Sequence, residues 1–208
     1  MTKSTFLLLV SSLLLFSVSC KWKTTKDALK HGEKLKSSIE DFEKNRQQLS
    51  VKLVKSLEEA EEDLTSENPD LPKVSKDFEK QWTGIQNKYK DLQEDFTKVG
   101  ETSEAFFAKL NELSSNINNE KLRNDELRKN DVLKNKWDKS FYEASSSIQK
   151  VTGVLEAGND FHMVLVASSI RQKLEQNVTD LNKIAVQAKE LLGDLESFTK
   201  AGRELVSA

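Results

Sequence analysis

From Lys26 to the C-terminus apolar residues recur at steps of three and four, and only two prolines, Pro69 and Pro72, interrupt the pattern. This spacing places the apolar side chains on one face of a helix, and a chain so poor in helix breakers has little else it can form. The first stripe is Leu35, Ile39, Phe42, Leu49, Leu53, Leu57, Ala60 and Leu64, with Arg46 in one slot. It stops at Ser66-Glu67-Asn68-Pro69-Asp70-Leu71-Pro72, where Pro72 suits the first turn of the next helix. A second stripe runs Val74, Phe78, Trp82, Ile85, Tyr89, Leu92, Phe96 and Val99, then Phe106, Leu110, Leu113 and Ile117 in the same register. Gly100 interrupts it only as a weak spot. Asparagines cluster between Asn116 and Asn124, and asparagine favours caps and turns, so a second turn is expected near Asn118 and Asn119.

The third stripe is Leu133, Trp137, Phe141, Ala144, Ile148, Val151 and Leu155. Gly158-Asn159-Asp160 then reads as a helix stop followed by a cap. The same phase also fits one uninterrupted helix with Gly158 facing inward. The last stripe is heptad-like: Ile170, Asn177, Ile184, Leu191, Phe198 and Leu205 in one set, Leu174, Leu181, Ala188, Leu195 and Gly202 in the other. Val178, Ala185 and Leu192 widen its apolar face beyond a two-stranded seam. The predicted fold is all-α, an elongated antiparallel up-down helical bundle with coiled-coil-like packing over 26–208. Its helices are expected near 26–66, 73–118, 121–157 and 160–206, with a three-helix rod as the rival. Segments of about 40–45 residues make helices roughly 60–65 Å long.

The first 19 residues differ from the rest. Lys3 precedes an apolar run from Phe6 to Phe16, broken only by Ser11 and Ser12, and Ser17-Val18-Ser19-Cys20 follows. This is the layout of a secretory signal peptide, 1–19, with an apolar run short of the ~20 residues of a membrane span. Cys20 is the only cysteine, so no disulfide forms within the chain. A lone cysteine after such a segment and small residues resembles the lipobox of bacterial lipoproteins, although Ser17 stands where that family usually has Leu. The resemblance implies lipidation at Cys20, a lipidated tether over 20–25, and an envelope location. The alternative is ordinary cleavage after Ser19. In enteric lipoproteins an Asp after the cysteine favours the inner membrane; Lys21 stands here instead, which points to the outer one. Lys21, Trp22 and Lys23 set an indole between two cations, a pattern suited to an anionic membrane surface.

The second half carries a looser likeness. Phe106-Phe107-Ala108-Lys109-Leu110, then Val154-Leu155 with Ala157, Asp160 and Leu165 before a helical tail, resembles the domain-of-unknown-function 2959 family of helical envelope proteins. The likeness spans about residues 75–205. That family's Lys-His-Asn-Leu-Asn stretch is replaced here by Val164-Leu165-Val166-Ala167-Ser168. The resemblance implies no known activity.

No reaction is legible. His31 and His162 stand far apart and belong to no metal-ligand pattern, so no metal or cofactor is expected. The seven glycines are scattered and form no phosphate loop. The acidic run Glu58, Glu59, Glu61, Glu62 and Asp63 reads as a solvated face. A net charge of −2 gives no footprint for nucleic acid. Phe161, Met163, Val164 and Leu165 lie in an almost wholly apolar stretch, read either as the most buried part of the bundle or as an interaction patch. The expected role is therefore a membrane-anchored structural or interaction protein with an envelope partner and no catalysis. The alternatives are a surface-exposed ligand or host-factor binder and a carrier of a small apolar ligand.

Overall fold

The computed structural model describes the backbone over 3–171 and 177–207 and the side chains over 26–171 and 179–207. Four helices follow one another: α1 (Lys3–Thr65), α2 (Leu71–Ser115), α3 (Glu120–Arg171) and α4 (Asn177–Ser207). Each packs against its two neighbours in the cycle α1, α2, α3, α4, so the four form an all-α helical bundle. Side-chain bonds fix the directions. Gln81 reaches back to Glu59 and Lys88 to Asn45; Tyr89 meets Ile148, and Ser147 meets Asp194. The order is therefore up, down, up, down, and α4 ends near the end of the bundle at which α1 enters it. Among the described residues no helix is long and apolar enough to cross a membrane.

The predicted stripes form the core. Every apolar residue of the first, from Leu35 to Leu64, is buried, and so is the second from Val74 to Val99. At mid-length Phe42, Phe96, Trp137, Phe141 and Phe198 meet across the bundle axis, with ring centroids 4.4–6.2 Å apart where they touch. All four helices contribute to this cluster; Phe96 and Phe141 stack, and the other pairs meet tilted or edge-on. Nearer the far end, Phe78 stacks on Trp82 and meets Phe161 edge-on.

The turns are made as the residue types dictate. Asp70 Oδ1 caps α2 by accepting from the Lys73 N–H at 3.1 Å, with Pro72 in the first turn. Asn119 Oδ1 caps α3 by accepting from the Leu122 N–H at 3.1 Å. Buried Asn130 donates to Asn111 Oδ1 at 3.0 Å and to Ser114 Oγ at 2.9 Å, pinning the α2–α3 hairpin.

Four expectations need correction. The predicted stop at Gly158-Asn159-Asp160 does not occur, and α3 continues to Arg171. The reason is Trp82. Its indole lies on Gly158, where an added Cβ would come within 1.8 Å of Cζ2, and its Nε1–H donates to the Leu155 carbonyl at 3.2 Å. Glycine is there to admit an indole, not to end a helix. Second, Ile170 does not open the last seam; it sits on α3 and is 77% exposed. Of its proposed seam mates, Leu174 and the Asn177 side chain lie outside the described residues. Third, the helix expected from residue 26 continues back through 20–25 to Lys3. Fourth, Phe107 is buried and Phe106 only half-buried, the reverse of the predicted register. Here α4 has ended. Gly202 lies against Ile39 and Trp137, and α4 stops five residues later, while α3 extends from Trp137 back to Glu120, about 25 Å. At this end the bundle has three helices, and the inward direction on α2 shifts accordingly.

Inward glycines recur. Phe141 reaches Gly100, Trp137 reaches Gly202, and Phe106 reaches Gly32, each from a neighbouring helix. Gly153 and Gly193 are different, because an added Cβ would meet nothing within 4 Å. Both lie inside helices, where glycine is about 0.8–1.0 kcal/mol worse than alanine. Changing both to alanine should raise stability by about 1.5–2 kcal/mol, or roughly 3–8 °C in Tm. Thermal denaturation followed by circular dichroism checks this, and no gain would mean that α3 or α4 is not regular there.

Candidate functional site

Glu43 and Arg46 make the most buried ionic site among the described residues. They sit on the inner face of α1 at 5% and 7% exposure. The guanidinium grips the carboxylate with both arms, Nε to Oε2 at 2.7 Å and Nη2 to Oε1 at 2.9 Å. Nη1 donates across the bundle to the Leu192 carbonyl of α4 at 3.1 Å, and Gln47 donates to Glu43 at 2.7 Å. Burial pushes the Glu43 carboxyl up, but the hydrogen bonds and charge of Arg46, with Gln47 and Thr199, outweigh it and hold the group below the ordinary carboxylate range. The Glu43 hydrogen bond in turn raises Arg46. The pair is closed on itself and joins two helices, so its chemistry is structural. Arg46 occupies the slot that interrupts the first stripe, and Glu43 three residues earlier was the available signal of a partner.

The other predicted residues are dispersed. Phe161 and Leu165 are core residues at 3% and 0% exposure, whereas Met163 and Val164 face outward at 65% and 40%. The apolar stretch is therefore split across two helix faces, and the four residues do not form one patch. The helix backbone passes through Cys20, Lys21, Trp22 and Lys23, but their side chains lie outside the described residues. His31 and His162 are both half-buried, on different helices. Among the described residues no group of three or more His, Cys, Asp or Glu could hold a metal ion.

Several surface clefts occur among the described residues, two of them beside the core. One of about 450 Å³ runs between α3 and α4, lined by Ser140, Ser146, Ser147, Lys150, Asp194 and Ser197. The Ser147 hydroxyl bonds Asp194 at 3.1 Å there. The other, about 250 Å³, lies between the end of α1 and the start of α2 and includes Ser56, Glu59, Glu62, Asp63, Lys73 and Asp77.

Charge is unevenly distributed along the rod. At the end where α1 enters the bundle, residues 26–36 and 109–136 carry eleven cations against seven carboxylates. At the far end, residues 58–80 carry nine carboxylates against three cations. A near-neutral total thus conceals a basic end and an acidic end. No protein-family model, curated protein or solved structure matches this chain.

Proposed function

We propose that the chain is a lipid-anchored bacterial envelope protein with a structural or protein-interaction role and no catalysis. The observation that carries this reading is the polarity of the rod. The apolar segment and Cys20 precede the end of the bundle that bears the excess of cations. A basic surface next to a lipid anchor gains about 1 kcal/mol per Lys or Arg that reaches an anionic leaflet. One acyl chain holds only weakly, so chains and cations together make the stable attachment. Lys21, Trp22 and Lys23 lie between the two and add to the same contact. The rod then carries its acidic end away from the membrane. From residue 26 to the end of α1 is about 58 Å at 1.5 Å per residue, a reach suited to meeting a partner held at a distance.

Intact mass of the protein purified from its native membrane, beside a Cys20→Ala variant, is the test. The expected result is a mass increase by acyl chains on a chain beginning at Cys20, absent from the variant, which leaves the membrane fraction. An unmodified chain beginning at Cys20 would overturn the anchored reading and leave a secreted bundle with a free thiol.

A further inference from the structure

We propose that the end of the bundle at which α1 enters is itself a seat for an anionic lipid bilayer, able to hold that surface without acyl chains. The proposal deepens the anchored reading, on which its orientation rests. Two exposed leucines carry it, Leu29 at 66% exposure on α1 and Leu122 at 57% on α3. Their level comes first. Gly202 lies against both Ile39 and Trp137, so these two stand at one height, and α1 and α3 run in the same direction. Leu122 precedes Trp137 by 15 residues, which sets it level with residue 24 of α1, about 6 Å from Cys20 along the helix. Leu29 stands about 7.5 Å further into the bundle.

Their direction comes next. Steps of seven residues keep to one helix face. Leu29 and Lys36 precede Glu43 by such steps, and Glu43 meets Thr199 of α4. Leu122, Lys129 and Lys136 precede Glu143 and Lys150 in the same way, and those two line the cleft between α3 and α4. Both rows therefore face the flank on which α4 packs, and both leucines lie past the level of Ser207, the last residue of that helix. In each row the leucine comes first from the tip, and a lysine follows about 10 Å behind it. That order fits a bilayer. The leucines reach the boundary of the acyl region, about 5–10 Å deep, while the lysine stems lie along the surface and keep their ammonium groups among the phosphates. A partner helix laid on this flank would instead call for apolar residues along the whole of each row. The charge agrees. Lys26, Lys30, Lys36, Lys121 and Lys136 form no ion pair among the described residues, whereas Glu112, Asp125 and Glu126, three of the seven carboxylates at this end, are already paired.

The test uses the chain beginning at residue 20 with Cys20→Ala, which cannot be acylated. Every buried residue among those described lies at Leu35 or later, so this form keeps the whole described core. Sedimentation with vesicles of phosphatidylcholine, with and without added phosphatidylglycerol, reads the binding. Saturable binding to the anionic vesicles alone is expected, falling about tenfold when salt is raised from about 0.1 M to about 0.5 M. Leu29→Ser with Leu122→Ser should weaken it about tenfold, the worth of half-burying both leucines, without lowering the melting temperature. Met163→Ser with Ile170→Ser, at least as exposed but at the acidic end, should leave it unchanged. No binding, equal binding to neutral vesicles, or equal losses from the two double variants would each overturn the proposal. So would binding that the leucine variant does not weaken, because Lys21, Trp22 and Lys23 would then suffice. A dimer in solution that the leucine variant dissociates would overturn it too, by assigning the flank to a second copy. Acylation is read separately by intact mass, so this contact and the anchor can each fail without the other.

Discussion

Replacing Gly158 with valine should lower the melting temperature by at least about 6–12 °C, the largest loss expected from any single added side chain in this bundle. The estimate rests on the contact with Trp82. A Cβ at Gly158 would lie 1.8 Å from Cζ2 and 2.1 Å from Cε2 of an indole that is itself 2% exposed. The indole cannot simply swing aside, because its N–H is bonded to the Leu155 carbonyl and its face is stacked on Phe78. Overpacking of this kind costs about 1–3 kcal/mol and occasionally more, and valine adds a branched carbon where even alanine is too large. At about 2–4 °C per kcal/mol for a chain of this size, a loss of about 3 kcal/mol gives that shift. Gly158→Ala is the sharper diagnostic. Helix propensity alone would make it stabilising by about 1 kcal/mol, so a fall in Tm isolates the steric effect. Combining it with Trp82→Leu should recover much of the loss, and a double-mutant cycle without coupling would show that the indole does not occupy that site.

Arg46→Met should cost about 3–5 kcal/mol, because it strands Glu43 as a buried charge without its main partner. Glu43→Leu combined with Arg46→Met should return stability to near the starting value or above it, since apolar replacements of buried pairs are often neutral or better. The pH dependence gives a second check. In the native protein Glu43 titrates below its unfolded value. Its contribution is therefore complete above that unfolded value and is lost as pH falls through the lowered folded one. In Arg46→Met the opposing effect of burial is no longer outweighed, and the carboxyl titrates above its unfolded value. Its penalty is then full at neutral pH and recedes on acidification. Chemical denaturation at several pH values should show the two proteins converging towards acid, and a constant gap would mean that Glu43 is not the group responsible.

The helical stripes were legible because a narrow bundle has one inward face per helix, and three- and four-residue steps define it without knowledge of the neighbours. The proline break was legible because proline acts locally. What the sequence concealed depended on distant residues. A glycine after Leu155 and Ala157 looks the same whether it ends a helix or receives an indole, and the deciding residue, Trp82, lies 76 positions earlier. The passage from α3 to α4 was hidden for the opposite reason. Residues 172–176 are Gln-Lys-Leu-Glu-Gln, with no glycine, proline or asparagine to mark a change. Phe106 and Phe107 exchanged roles because the inward direction at their level depends on where α4 stops. As for candidate sites, composition flagged the acidic run near Glu58, but not that Leu29 and Leu122 lie past the end of α4 on one flank. Which exposed leucines share a flank is a property of geometry alone.

Heptad-patterned helices face an ambiguity that their apolar stripes cannot resolve. A slide of seven residues, about 10 Å, brings one stripe against another nearly equivalent length of its neighbour. The inward glycines remove that freedom. Moved by one heptad along α3, the Trp82 ring would meet Val151 or Leu165 in place of Gly158, and Trp137 moved along α4 would meet Leu195 in place of Gly202. None of these three side chains leaves room for an indole. Three shallow notches, at Gly100 on α2, Gly158 on α3 and Gly202 on α4, thus select a single alignment from a ladder of otherwise similar ones, and a rod assembled from repetitive surfaces acquires a defined length.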